Sequence, residues 1–282
     1  MAVEQHAVEA ATHAAEVAPH AADAAHGSGI HIALAAEKLG TFLGFPVTNT
    51  LVATLIAFVI LVVMGLLVGR NTRMIPGRLQ LLLEMAFEYV YDFVTQTLGS
   101  REYARKYFPL LMTLFLFIFI ANMLHFIPGV GSLTFHTSEG LTVPFLRAPN
   151  TDLNVTLALT IIVMIVIELA GVFAIGLWRY AGKFINFSGR SIPERILNFV
   201  VGLIELVSEA GRLVSFSFRL FGNIFAGEVL IAVVVFFLPY VAPVPLMAFE
   251  VFVGFIQAAV FSMLTLFFIK MAITPPHSAE AH

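Results

Sequence analysis

The chain contains no cysteine and few charges of either sign. Without a thiol it can form no disulfide, no thiolate nucleophile and no cysteine-ligated metal cluster, which disfavours redox chemistry. Only 12 % of its 282 residues are charged while 59 % are hydrophobic, and that balance excludes an ordinary soluble domain. A net charge of -3 leaves nothing in the totals for nucleic acid or a strongly charged substrate to recognise. Residues 1 to 29 also lack the basic start and apolar core of a secretory signal peptide. What the chain has in quantity is phenylalanine, 28 copies, and a mean hydropathy of +0.93, the composition of a polytopic membrane protein.

The N-terminal tail carries a seven-residue repeat, HAVEAAT, HAAEVAP and HAADAAH, from His6 to His26. Alanine offers little to bury, so this tract reads as a solvated tail whose histidines (6, 13, 20, 26 and 31) are compatible with buffering or metal capture. Leu51 to Val68 is an apolar run of bilayer-crossing length that stops at Arg70 and Arg73. After Pro76-Gly77, apolar residues recur at helical spacing beside a polar stripe of Gln80, Glu84, Glu88, Asp92 and Thr95. That pattern predicts an amphipathic interfacial helix over 75–98, its acidic stripe facing either water or a protein partner.

A second span covers Phe108 to Ile127 and ends at Pro128-Gly129, with Asn122 and His125 as interhelical hydrogen-bonding groups. Alternation around Glu139-Gly140 predicts a short hairpin between Ser132 and Phe145. A third span runs from Thr151 to Trp178; Asn150, Thr151 and Asp152 form a helix start, and Glu168, a carboxylate deep within the span, is a candidate for a proton path. Arg179 to Ile192 reads as a basic loop, followed by a capping box of Ser191 and Glu194 around Pro193. No proline then intervenes before Pro239, so a continuous helix is about 70 Å long against a hydrocarbon layer of about 30 Å. It must tilt or break. Gly202 and Gly211 are the candidate breaks, but a polar face continues through both and favours tilt. The last helix, Val244 to Ile273, is also too long to stand upright and stops at Pro275-Pro276.

Within the long helix the segment SFSFRLFGNIFAGE sets Arg219 inside a run that otherwise reads as membrane core. A charge there costs at least about 3 kcal/mol, so its persistence points to a partner or an ion path. Glu205, Ser208, Arg212, Ser215, Arg219 and Asn223 share one narrow face, within about 40° of the arginine, bordered by the small residues Gly222 and Ala226. Small residues let another helix approach closely in lipid. Glu228 lies on the opposite face, roughly 13 Å along the axis from Arg219. On the last helix Glu250 and Gln257 share a face, since a heptad drifts by only about 20°.

RLFGNIFAGE resembles subunit a of the F-type ATP synthase, as do APNTDLNVTLAL (Ala148 to Leu159), FPLLMTLFLFIFIAN (Phe108 to Asn122) and IQAAVFSMLT (Ile256 to Thr265), in the same order. The resemblance covers most of the chain from Ile75 to Thr274. It implies an all-α polytopic membrane protein with three roughly upright spans, one amphipathic interfacial helix and two long, steeply tilted helices facing a ring of c subunits. Arg219 matches the family's essential arginine, and Asp152 an acidic group at its outer ion entrance, beside the plain reading of Asp152 as a cap. Two half-channels that do not meet would end on either side of Arg219. Glu228, Glu250 and Gln257 belong to the outer path and Glu205 to the inner half, Ser215 and Asn223 flank the arginine by one turn each, and Glu168 and Arg212 are further candidates. Helix 75–98 becomes the contact for the peripheral-stalk b subunits. The family implies no cofactor, no metal and no catalytic site in this chain, and proton against sodium stays open. His125 departs from the family, as does Glu250, where one version has histidine.

Of the fifteen Lys and Arg residues, Arg70, Arg73, Arg78, Arg101, Arg105, Lys106, Arg179, Lys183, Arg190, Arg195 and Lys270 fall on one side of five spans, and Lys38 and Arg147 on the other. The positive-inside rule then puts the N-terminal tail (1–40) outside, the membrane domain at 41–274 and the tail 275–282 in the cytoplasm, most simply of a bacterial inner membrane. Two rivals remain: a secondary transporter binding an anion at Arg219, for which no inverted repeats are visible, and a structural anchor whose polar residues are packing glue.

Overall fold

The computed structural model describes residues 36–42, 45–70, 77–126, 134–136, 142–144, 146–184 and 191–274. Among them are seven helices: α1 (Asn49–Arg70), α2 (Arg78–Leu98), α3 (Arg101–Met123), α4 (Leu153–Ile175), α5 (Leu177–Phe184), α6 (Ile192–Phe237) and α7 (Pro243–Ile273). Five of these, α1, α3, α4, α6 and α7, are long and apolar enough to cross a membrane, which is the expected all-α polytopic class. Two antiparallel hairpins, β1 (Lys38–Phe42) with β2 (Phe45–Thr48) and β3 (Thr134–His136) with β4 (Thr142–Pro144), lead into α1 and α4. They mark the hairpin end of the bundle; α2 and α5 mark the other. The second hairpin is the expected one, although its Glu139-Gly140 turn lies outside the described residues, as do the histidines of the tail, Arg73, Arg190, residues 275–282 and the side chain of His125.

Helix boundaries follow local chemistry. Ser100 accepts the Glu102 N–H at 3.2 Å, so α3 starts at Arg101, a turn and more before the apolar run of the second span begins. The basic loop expected after the third span is instead partly helical: α4 stops at Ile175 because Gly176 takes φ 94°, and the chain re-forms as α5, which carries Arg179 and Lys183. An amphipathic segment of eight residues is too short for periodicity to flag. The Ser191–Glu194 capping box does open α6, which runs unbroken for 46 residues through both Gly202 and Gly211.

α3, α4, α6 and α7 enclose the main core, with Leu111, Ile118, Val163, Ile167, Leu220, Leu266 and Ile269 all buried. α1 is peripheral. It meets α3 through Ala53 and Ala57 against Ala121 and leaves Leu55, Phe58 and Leu66 more than half exposed. In lipid no hydrophobic force drives helices together, so contact is made where small side chains permit close packing and the large apolar ones face the hydrocarbon.

Candidate functional site

Arg219 is exposed on α6, where one guanidinium nitrogen donates to Ser215 Oγ at 3.4 Å. Among the described residues this is its one polar contact, and no carboxylate lies within ion-pair distance. Ser208, Ser215 and Asn223 share that open face. Arg147, packed against α6, and Arg212, carried by it, are held quite differently.

At the hairpin end, Arg147 is buried and grips Glu228 with two nitrogens: Nε lies 3.2 Å and 3.3 Å from the carboxylate oxygens, and Nη2 lies 3.1 Å from Oε2. Paired forks of this kind are the strong form of the ion pair and are costly to break when buried. Arg147 was not among the residues singled out for the site; it stands 81 positions from Glu228, and its one signal is its place beside the APNTDLN motif. Glu250 is also buried, and its Oε2 has no hydrogen-bond partner among the described residues. Its carboxylate rests on Gly227, where any Cβ would overlap it. Glu228 and Glu250 therefore converge, as expected. They line a cavity of about 10 Å³ with Asn122, Phe126, Thr151 and Ile224, about the space of one water.

Amide groups extend this cluster. Asn150 donates to Asn122 Oδ1 at 2.7 Å, and Asn122 donates to the Gly254 carbonyl at 3.1 Å, which bears out its interhelical reading. Gln257, two turns and about 10.5 Å along α7 from Glu250, accepts from Asn223 Nδ2 at 2.8 Å, while its own Nε2 is buried with no partner among the described residues. Because Asn223 lies one turn beyond Arg219, this bond joins the buried cluster to the open face. Asp152 caps α4, accepting from Asn154 N at 2.9 Å, and also accepts from Thr50 Oγ1 of α1 at 2.9 Å. It borders a groove of about 630 Å³ between α1 and α4, with Lys38, Thr48 and Asn154. Cap and groove wall are thus the same residue.

A dry layer follows. The Phe216 ring is buried against Phe261 and Phe268, with centroids 5.1 Å and 5.3 Å away, and Leu220 and Ala258 are fully enclosed beside it. Beyond the layer, at the α5 end, lies a second polar cluster. Lys183 Nζ meets Glu205 Oε1 at 2.7 Å and Glu209 Oε1 at 3.2 Å. Arg212 Nη2 meets the same two oxygens at 3.2 Å and 2.9 Å, and its guanidinium lies 5.2 Å over the Phe268 ring. Tyr180 donates to Glu168 Oε2 at 2.8 Å. Burial, and then the Glu168 carboxyl beside it, hold the phenol above its usual range, so the hydroxyl stays a donor. A cavity of about 150 Å³ bounded by Arg179, Tyr180, Lys183, Glu205 and Thr274 reaches this cluster. Sequence reasoning found Glu168, Glu205 and Arg212 but missed Glu209, Tyr180 and Lys183. Glu209 follows Glu205 by one helical turn, which was the available signal.

Five apolar spans that bury two separate polar clusters, with an arginine between them facing outward at mid-helix, define a membrane protein built to handle charge within the bilayer. The family described as ATP synthase A chain matches residues 51–270, and the chain belongs to it, as subunit a of an F-type ATP synthase. The chain is similar to ATP synthase subunit a of Campylobacter jejuni subsp. jejuni serotype O:6, 36 % identical over 206 residues, 73 % of this chain and 81 % of that protein. It is 32 % identical over 242 residues to a protein of Propionigenium modestum named ATP synthase subunit a, sodium ion specific, covering 85 % of this chain and 78 % of that one. With ATP synthase subunit a of Moorella thermoacetica it shares 30 % over 224 residues, 79 % and 90 % of the two chains. It is a multi-pass membrane subunit of the ATP synthase complex, in the service of ATP synthesis and ion transport.

Proposed function

We propose that the chain is the proton-conducting stator of the complex, with two offset half-channels that serve the carboxylates of a c-subunit ring. The outer path runs from the groove at Asp152 through the cavity between Glu228 and Glu250 to Gln257 and Asn223. The inner path runs from the ring past Ser215 to the cluster of Glu205, Arg212 and Glu168. Phe216, Phe261 and Phe268 keep the two apart, so an ion crosses only by riding on the rotor. Arg219 holds each passing ring carboxylate ionised and blocks direct leakage. α6 and α7, at about 69 Å and 46 Å, lie steeply inclined along the ring because both exceed the hydrocarbon thickness.

The observation that carries this reading is Arg219 itself, outward-facing at mid-helix with no carboxylate among the described residues to neutralise it. A partner carboxylate must come from another subunit. α2 supports a stalk contact, since Glu84, Glu88 and Asp92 are exposed while Val94 and Leu98 are buried in the core. The membrane is a bacterial inner membrane, with the hairpin end outside and the α5 end in the cytoplasm, as the basic residues of α5 and of the start of α3 indicate. Proton flux through vesicles containing the chain with and without the rotor ring tests the proposal. Flux that needs the ring and persists in sodium-free buffer is expected; flux through the chain alone would overturn it.

A further inference from the structure

We propose that Glu168 and Glu209 share one proton and, with Tyr180, form the release site at the inner end of the path; this rests on the half-channel reading and names the groups that finish it. Three elements converge here: α4 brings Glu168, α6 brings Glu209, and α5 lays Tyr180 across them. The phenol is held in place because its ring lies flat on Gly171, one turn from Glu168, where a Cβ would overlap the ring. Its hydroxyl is thereby aimed at Glu168 Oε2, 2.8 Å away.

The charge balance gives the pair its role. Lys183 and Arg212 both spend their contacts on one oxygen each of Glu205 and Glu209, so two cations answer two carboxylates. Glu168 is a third carboxylate, with no ion pair among the described residues. Glu209 reaches the same place from α6: its Oε1 meets Lys183 at 3.2 Å, that ammonium lies 5.8 Å from the centroid of the Tyr180 ring, and its Oε2 is buried with no partner among the described residues. Two ionised carboxylates gathered around one phenol repel, and an unpaired buried oxygen is costly, so a single proton shared between them satisfies both. Among the described residues Glu168 has no ion pair of its own, and Lys183, the nearest ammonium, is held by Glu205 and Glu209. Lys270 of α7 donates to the Leu98 carbonyl at 3.0 Å, and Lys106 of α3 lies over the rings of Tyr107 and Phe173.

Such a pair transfers protons without changing its own charge. A proton arriving on the bare carboxylate releases the one already shared, and the adjoining cavity of about 150 Å³, walled by Tyr180, Lys183 and Glu205, has room for waters to take it. No covalent bond other than to the moving proton forms or breaks. Glu205, locked between Lys183 and Arg212, positions the cluster and holds no mobile proton.

The test uses the assembled ATP synthase in vesicles, with ATP-driven and passive proton flux measured as the pH is varied on each side separately. In Glu168→Gln and Glu209→Gln, flux is expected to fall about tenfold or more and to lose its dependence on inner-side pH, with the outer-side dependence unchanged. Tyr180→Phe keeps the ring on Gly171 and removes one hydrogen bond, so it should shift the inner-side profile with a smaller loss of rate. Parental rate and inner-side profile in an assembled glutamine variant overturn the proposal; if neither glutamine variant assembles, an unshifted profile in Tyr180→Phe overturns it. Arg219→Lys, run alongside, separates the two readings. Lost flux there with parental flux in Glu168→Gln removes only the release site, whereas parental flux in both removes the half-channel reading itself.

Discussion

The two polar clusters are assembled differently. At the hairpin end the side chains meet in separate pairs, Arg147 with Glu228, Asn150 with Asn122 and Gln257 with Asn223, and Glu250 is set against a glycine. At the α5 end two cations and two carboxylates share single oxygens, and Tyr180 and Glu168 join at the edge. Pairwise construction lets one substitution report on one group, whereas a shared network responds as a unit and its single-site effects do not add. Both clusters nevertheless contain one more carboxylate than cations, Glu250 in the first and Glu168 in the second. Arg219, between them, has the converse excess.

That contrast is sharpest at the arginines. Arg219→Lys is expected to abolish ATP-driven pumping, a loss of at least about a hundredfold, because lysine shifts its protonation readily in a dry site and cannot engage a carboxylate with two nitrogens. Arg219→Ala should instead leak. Neither should disturb assembly, since the exposed side chain makes its one polar contact among the described residues with Ser215. Arg212→Ala should reverse the pattern: it leaves Glu205 and Glu209 short of a cation, so assembly and thermal stability drop by about 3 kcal/mol while the correctly folded fraction still couples. Pumping assays beside quantitation of assembled complex check both, and equal loss of coupling in the two would make them one functional unit.

Next in size is the pair at the hairpin end. Glu228→Gln breaks the forked ion pair that the buried Arg147 makes and should destabilise by about 3 kcal/mol as well as slow flux. Glu250→Gln removes a titrating group that has no cation to strand, so it should slow flux about tenfold and flatten its outer-side pH dependence at unchanged stability. If both variants pump at the parental rate over the whole pH range, the pair is structural and the outer entrance lies at Asp152. Phe216→Ala addresses the separation between the clusters. Opening the layer beside Phe261 and Phe268 should raise passive proton leak several-fold in vesicles and cost about 3 kcal/mol for the cavity; unaltered leak would place the barrier elsewhere.

The contrast also explains what the sequence disclosed. Apolar runs of bilayer length announce themselves, so the five spans, the capping box at Ser191 and the unbroken α6 were readable in advance. So was the shared face of Glu250 and Gln257, because both sit on one helix at a known period. Arg147–Glu228 was not readable, since no local rule connects residues so far apart in the chain. The α5 cluster was half visible: carboxylates inside apolar runs stand out, but Tyr180 and Lys183 lie on a helix that exists only because Gly176 turns the chain back onto α6. Tertiary partners decide these roles, and a single sequence carries no record of them.

The smallest expected effect concerns Asp152, where a cap and an ion entrance coincide. Asparagine caps a helix about as well as aspartate, so Asp152→Asn keeps the bond from Asn154 N and should change stability by less than about 1 kcal/mol. The hydroxyl of Thr50, which now donates to Oδ2, would turn to accept from the new amide, and the link between α1 and α4 survives. What disappears is the charge on the wall of the groove. Flux should then fall only two- to threefold, because Thr48 and Asn154 still line a groove of about 630 Å³ with room for water. Asp152→Ala loses the cap and the Thr50 bond together, about 1 to 2 kcal/mol, and controls for the structural part. Thermal unfolding of the complex and flux at several outer-side pH values resolve the two roles. Slowed flux at parental stability in Asp152→Asn assigns the entrance to the carboxylate, and slowing confined to Asp152→Ala leaves it a cap.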